Sequence, residues 1–391
     1  MLVRTRAVWV GACAALALAG CSTAGKGGSS AVTVSGRTLT VYASQPPGGS
    51  GQQAAADALD AEQLALQQAG GKAGSFTVRL VKLDGRELSD NARTAIADQS
   101  AIAYLGELQP GTSQVSVEIL NQQGLLQVSP ADTAVYLTQA IPPVSSSPTS
   151  FYPSHATYNE TFARVVPNSG VEAKALVGEM QDQHLSKLYV SSDGQKYGAA
   201  VALEVRQDAR SAGMGIVASP TAADAVFYGA SAASPAARAG ATRALDQAAS
   251  ASPNAKLFAP SGLYDPAFVS ALSPGAQQRL LVSSPGFLPR NLPPAGRTFV
   301  SDFTRAYGHA PAPQAIFGYE AMSAVLAVLG QAGSLANNRA DVVKDFRGLK
   351  DRSSAIGTYS ISGGDPSIAP FVFGRVEGGK LVPFRFVQLH G

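Results

Sequence analysis

The chain has 391 residues, 45% of them hydrophobic and 15% charged, with a net charge of +3. That length supports one large core or two medium ones, and the composition excludes a disordered chain. So small a charge leaves no basic footprint for nucleic acid and no polybasic membrane-surface segment. Both cysteines, Cys13 and Cys21, fall in the first 21 residues, so the body can form neither a disulfide nor a cysteine-ligated metal site.

Taken in chain order, Arg4 and Arg6 form a short positive start and Ala7 to Gly20 an apolar stretch. A bilayer span needs roughly 20 apolar residues, so the stretch is too short to cross and fits the apolar region of a secretory signal. It ends in Leu18-Ala19-Gly20-Cys21, which resembles the bacterial lipobox, where a diacylglycerol is attached to the cysteine and the signal is cut just before it. This predicts a signal peptide over 1–20 and a lipid anchor on Cys21 at the extracytoplasmic face of the cell membrane. Each buried acyl methylene contributes about 0.8 kcal/mol to such an anchor. Loss of Arg4 and Arg6 with the signal leaves the mature chain close to neutral. Residues 21–36 are rich in Gly and Ser and read as a flexible tether. Gly20 to Gly27 approaches a phosphate-binding loop, G-x-x-x-x-G-K-G, but no strand precedes it, Gly27 replaces the Ser or Thr that would meet magnesium, and cleavage removes Gly20.

From Arg37 strands and helices alternate. Strands are predicted at Leu39–Ser44, Phe76–Asp84, Ala101–Gly106 and in "LLQVS". Helices are predicted at Ala54–Gln68, stopped by Gly70-Gly71, at Leu88–Gln99 and at Ser113–Gln123, ended by Gly124. After the Pro/Ser-rich "IPPVSSSPTSFYPS" the alternation resumes. A helix over Val171–His184 places Leu176, Val177 and Met180 on one face, "KLYVSS" is a strand, and Tyr197–Gly213 is a helix. Then come "MGIVAS" and Ala225–Ser231 as strands, Pro235–Ser250 as a helix, and "KLFAPS" and Arg279–Ser284 as strands. Two or three helices follow. One of them, Pro313–Gln331, carries Ile316, Tyr319, Met322, Leu326 and Leu329 at helical spacing. The end reads as short strands with a Gly378-Gly379 hairpin turn. Two such runs with a break near Phe162–Pro167 predict an α/β protein of two Rossmann-like lobes with parallel sheets flanked by helices. The expected boundaries are 37–164 with 285–357 for the first lobe and 165–284 with 358–391 for the second.

Several stretches then resemble the type I periplasmic binding proteins, in particular the leucine/isoleucine/valine-binding branch that serves ABC transporters. They are "LQQAGGKAGSFTVRLVKLD", "GELQPGTSQVSVEILNQQGLLQVSPADT", "RVVPNSGVEAKALVGEM", "LYVSSDGQKYGAAVALEVRQDARSAG" and "FVSDFTRAYGHAPAPQAIFGYEAMSAV". Each alone is weak, but together they run in the family's order across nearly the whole mature chain. The resemblance implies two lobes joined by a three-stranded hinge, a small polar ligand (amino acid, amide or related) held by cleft closure, and an ABC permease as partner. A sensing or assembly lipoprotein of the same fold is the alternative. Ligands in such sheets sit beyond the carboxyl ends of strands, where helix N-termini present donors.

The resemblance also implies ligand contacts. Ala131 and Thr133 match positions that hold the ligand carboxylate. Pro110 stands where the family offers a serine, with Thr112 and Ser113 beside it as substitutes or as the N-cap of the next helix. Tyr197 matches a tyrosine that packs on the ligand from the second lobe, and Tyr228 and Ser231 follow a strand on the same side. Ser261 stands near where the amino-acid-binding members place a carboxylate for the ligand ammonium. An unpaired buried ammonium is costly, so another carboxylate (Glu107, Asp132 or Asp265) supplies the charge or the ligand is not an α-amino acid. Asp265, ahead of Pro266, also reads as a helix cap. Nothing points to catalysis, a metal or a cofactor. His155, His184, His309 and His390 lack ligand spacing, and no G-x-S-x-G elbow occurs.

Overall fold

The computed structural model describes residues 32–46 and 52–390; the predicted signal, Cys21, the near phosphate loop and the tether up to residue 31 lie outside the described residues. The first half runs β1 (Thr38–Ser44), α1 (Gln52–Gln68), β2 (Lys72–Ala73), β3 (Phe76–Leu83), α2 (Leu88–Ala97), β4 (Ala101–Leu105), α3 (Ser113–Leu120), β5 (Leu126–Ser129), α4 (His155–Tyr158) and β6 (Phe162–Arg164). Its strands form one sheet in the order β2-β3-β1-β4-β5-β6. All pairs are parallel except β2 with β3. Every residue of β4 and β5 is buried, as expected of parallel strands covered by helices on both faces. Gly70 and Gly71 end α1 with positive φ of 66° and 67°, which only glycine adopts freely.

The chain then crosses to a second sheet. It runs through α5 (Ser169–Asp182), β7 (Lys187–Ser192), α6 (Lys196–Ser211), β8 (Gly215–Ile216), β9 (Ala225–Gly229), α7 (Pro235–Ala251), β10 (Lys256–Ala259), α8 (Pro266–Ala271), α9 (Pro274–Gln277) and β11 (Leu280–Pro285). Three helices return to the first core: α10 (Pro294–Tyr307), α11 (Ala315–Ala332) and α12 (Arg339–Arg347). Two short ribbons, β12 (Arg352–Ser354) with β13 (Gly357–Tyr359) and β14 (Ile361–Ser362) with β15 (Asp365–Pro366), lead back. The last two strands, β16 (Ile368–Glu377) and β17 (Lys380–His390), close the second sheet, whose order is β17-β16-β11-β10-β9-β7-β8.

Four details depart from the sequence reading. The C-terminal strands are 10 and 11 residues long rather than short. They join β11 antiparallel, an edge that helix–strand alternation cannot anticipate. Gly378-Gly379, at φ 57° and 77°, makes the turn between them. The run "MGIVAS" keeps only Gly215–Ile216 as strand, because it pairs with β7 alone at the sheet edge. Helix α11 is buried on nearly every side rather than along one stripe, with Phe317, Ala321, Val325 and Val328 buried as fully as Met322 and Leu329. The window Ala315–Leu335 is long and apolar enough to cross a membrane, yet it is 67% buried as the central helix of the first lobe. Lastly, the end of the expected tether is docked. Val34 is buried, its amide donates to Asn337 O at 2.8 Å, Thr33 bridges Asn338, and the Arg339 amide donates to Val32 O. The reason is a short β-branched run whose Val34 finds an apolar seat in the first core, which a Gly/Ser count passes over.

Helix α11 lies directly on α1. A Cβ on Gly318 would stand 2.4 Å from the Ala58 carbonyl oxygen, a backbone atom that cannot swing aside. Gly318→Val should force the helices apart and lower stability by about 1–3 kcal/mol. Urea unfolding checks this, and an unchanged midpoint would show that the helices part freely.

Candidate functional site

The carboxyl ends of both sheets meet at one cleft. In the first sheet the chain reverses its winding between β1 and β4, and in the second between β7 and β9. Such switch points are where open α/β sheets leave a crevice. A cavity of about 100 Å³ lies there between the lobes. From the first lobe its wall is α1 (Ala54, Ala55, Ala58), the loop after β4 (Leu108, Gln109, Pro110), the loop after β5 (Pro130, Ala131) and Gln314. From the second it is Ser231–Ala233 after β9, the Ser261–Asp265 region after β10, and Ser284–Pro285 at the end of β11.

Three of the seven predicted ligand residues, Ala131, Ser231 and Ser261, line this cavity. Two more stand behind the wall. Thr133 Oγ1 lies 3.2 Å from Ser261 Oγ and 3.4 Å from the Tyr197 hydroxyl, and that hydroxyl lies 3.3 Å from Ser261 Oγ. Thr133 belongs to the first lobe and the other two to the second, so this cluster joins the lobes. The Tyr197 ring is buried against Gly111, where an added Cβ would sit 2.9 Å from its own Cβ. The remaining two, Thr112 and Ser113, do not line the cavity in this arrangement. Thr112 takes the N-cap position of α3 with its hydroxyl turned to Gln109 O, and Ser113 Oγ accepts from the Glu107 amide. Tyr228 packs partly buried among the second-lobe core residues. Cys21 lies outside the described residues.

Buried carboxylates stand around the wall. Asp132 accepts from the amides of Gly111 and Ser113, each at 2.7 Å, and of Ala134 at 2.9 Å. Asp265 caps α8 through the Phe268 amide at 2.7 Å, as its place ahead of Pro266 suggests, and also lines the cavity. Glu107 accepts from Ser44 and Tyr104 hydroxyls, each at 2.7 Å, and burial pushes its pKa up to about 7. Glu172, which sequence reasoning missed, accepts from the Ser261 amide (2.5 Å), Ser261 Oγ (2.9 Å) and Ser283 Oγ (2.6 Å). Its carboxyl is likewise pushed up to about 7 by burial, against the pull of those donors. Glu172 lies in the first turn of α5, where an acidic residue reads as ordinary helix-start chemistry. The α1 face was equally hidden, because alanines signal helix propensity and carry no mark of a cavity.

The lobes also meet outside the cavity. Lys196 Nζ, at the start of α6, stands 4.5 Å from the Phe151 ring centre and 5.3 Å from that of Tyr136, both reached across from the first half of the chain. On the cavity wall itself, Ser231 Oγ donates to Pro110 O at 3.4 Å and Gln314 Nε2 to Ser284 Oγ at 2.9 Å. Among the described residues no group of three His, Cys, Asp or Glu side chains could hold a metal ion.

The family model described as "Periplasmic binding protein" matches residues 41–380. No curated protein sequence matches the chain. Among solved structures, a leucine-binding protein of Thermotoga maritima superposes with a TM-score of 0.70 at 17% identity, covering 89% of this chain and 98% of that one. A branched-chain amino acid transporter substrate-binding protein of Streptococcus pneumoniae, in complex with isoleucine, gives 0.67 at 15% identity, with 90% and 100% covered. A solute-binding protein of an ABC transporter from R. palustris, in complex with benzoate, gives 0.66 at 18% identity, with 90% and 97% covered. At such identities the likeness is one of fold. With one model accounting for most of its length and the same two-lobed architecture in all three structures, the chain belongs to the periplasmic binding protein family, of type I architecture, a family of binding proteins rather than enzymes.

Proposed function

We propose that this chain is the lipid-anchored, extracytoplasmic solute-binding component of an ABC importer, which captures a small polar ligand by cleft closure and hands it to a membrane permease. The cavity at the strand ends carries the reading, because its wall is built from both lobes and is complete only when they meet. A ligand there gains contacts in the closed arrangement that the open one cannot offer, and that difference is what drives closure. A ligand at 100 times its Kd should stabilise the chain by about 2.7 kcal/mol. A melting-temperature screen with amino acids, amides, short peptides and sugars measures this, and no shift with any compound would remove the support for a binding role.

The anchor rests on "LAGC" at Leu18–Cys21 and on the apolar stretch before it. Cys21→Ser should move the protein from the membrane to the soluble fraction, since no acyl chain could then be attached there. Persistence of the variant in washed membranes would mean that something other than Cys21 holds it.

A further inference from the structure

Charge is distributed unevenly around the cavity. Among the described residues its lining contains no Arg, Lys or His. The one carboxyl or cationic side chain in the lining is an acid, Asp265. Asp265 is buried, with Oδ1 engaged by the Phe268 amide, and among the described residues its other oxygen has no hydrogen-bond partner.

The backbone amides that would seat an anion are already engaged by the chain itself. The amides of Gly111 and Ser113, at the start of α3, donate to Asp132, and the amide of Ser261, on the cavity wall, donates to Glu172. The Ala131 amide is taken by Ser129 Oγ at 3.2 Å. Neutral donors remain on the wall, the Gln109 side-chain amide and the Tyr264 hydroxyl, neither with a hydrogen-bond partner among the described residues, and a neutral donor suffices for a carbonyl oxygen. An anionic group entering this cavity would meet Asp265 at the wall and two further carboxyl groups behind it, Asp132 and Glu172, while the cation behind the same loop, Arg164, is already paired with Asp365 and turned to Asp132 O and Ala134 O, and an unpaired buried charge is strongly disfavoured. A donor group meets the free Asp265 oxygen in a charge-assisted hydrogen bond.

We infer that the cleft selects a small organic molecule that donates hydrogen bonds and carries no anionic group, an amine or primary amide rather than an amino acid or a carboxylic acid. This deepens the binding role proposed above and rests on it. The cavity of about 100 Å³ is below the roughly 150 Å³ that admits benzene, so the ligand is small. The apolar part of the wall, alanines and prolines with Leu108 and Val166, suits a short apolar body.

The test uses the full chain in detergent and four probes on one short skeleton: alanine, propanoate, ethylamine and propanamide. Calorimetric titration at neutral pH should show the amine and the amide binding and the acid not, with alanine weaker than the amide by about tenfold or more. Alanine or the acid binding as tightly as the amide would overturn the inference while leaving the binding role intact. Silence from all four, together with the broader panel, would overturn the binding role itself. Asp265→Asn keeps a capping side chain on α8 and should lower the ratio of amine to amide affinity about tenfold. An unchanged ratio would show that Asp265 does not face the ligand.

Discussion

Arg164→Met should lower the stability of the chain by about 3–5 kcal/mol, the cost of leaving a buried ion-pair partner uncompensated. Arg164 ends β6, at the first crossing between lobes, and its side chain is fully buried. Its Nε stands 2.8 Å from Asp365 Oδ1, in the ribbon that leads to the last crossing. Its other nitrogens donate to Asp132 O (2.7 Å), Ala134 O (2.9 Å) and Thr138 Oγ1 (3.0 Å). Asp365 Oδ2 in turn accepts from Thr138, Gln139 and Asn168, each at 2.9 Å. One guanidinium therefore ties two hinge segments to the loop that carries Ala131 and Thr133. Urea unfolding measures the loss. Arg164→Met combined with Asp365→Asn should lose less than Arg164→Met alone, because the stranded carboxylate is gone. A single variant within 1 kcal/mol of the parent, about fivefold in the folding equilibrium, would mean that the hinge holds without the pair.

Stability should fall as pH rises from about 5 to 8, the reverse of ordinary acid denaturation. Glu107 and Glu172 each have a folded pKa raised from 4.5 to about 7, with burial as the largest cause. Between those values the folded state keeps protons that the unfolded chain has released. Their stabilising contribution is therefore complete below about pH 4.5 and is lost as pH climbs through 7. The shift corresponds to on the order of 3 kcal/mol for each group. Asp98 and Glu160 are shifted the other way by their hydrogen bonds and neighbouring cations, but they act at and below the usual carboxylate range, outside this window. Glu172→Gln should flatten the fall, leaving the variant closer to the parent at pH 5 than at pH 8, where the parent buries an anion. A melting temperature that rises from pH 5 to pH 8 in the parent would contradict this.

What was legible in the sequence follows from periodicity. The elements of both lobes recur within a few residues of where alternation, helical spacing and glycine stops place them, because each of those signals is local. Burial of Leu176, Val177 and Met180 is an example, read directly from their spacing on α5. The strands β16 and β17 were underestimated because a glycine and two prolines interrupt the pattern, while pairing with β11 and with each other carries the strands through.

The candidate site was legible only in part, for a physical reason. Ala131, Ser231 and Ser261 sit on loops at strand ends, a placement that topology assigns once the strands are known. The α1 alanines, Gln314, Glu172 and the Arg164–Asp365 pair are brought to the cleft or hinge by contacts between residues far apart in the chain. By itself the sequence determined the alternation of strands and helices and the absence of cysteine chemistry from the body. Only the tertiary structure decided which carboxylates are buried, which amides they occupy and which groups meet across the cleft, because each depends on two lobes folding separately and then meeting.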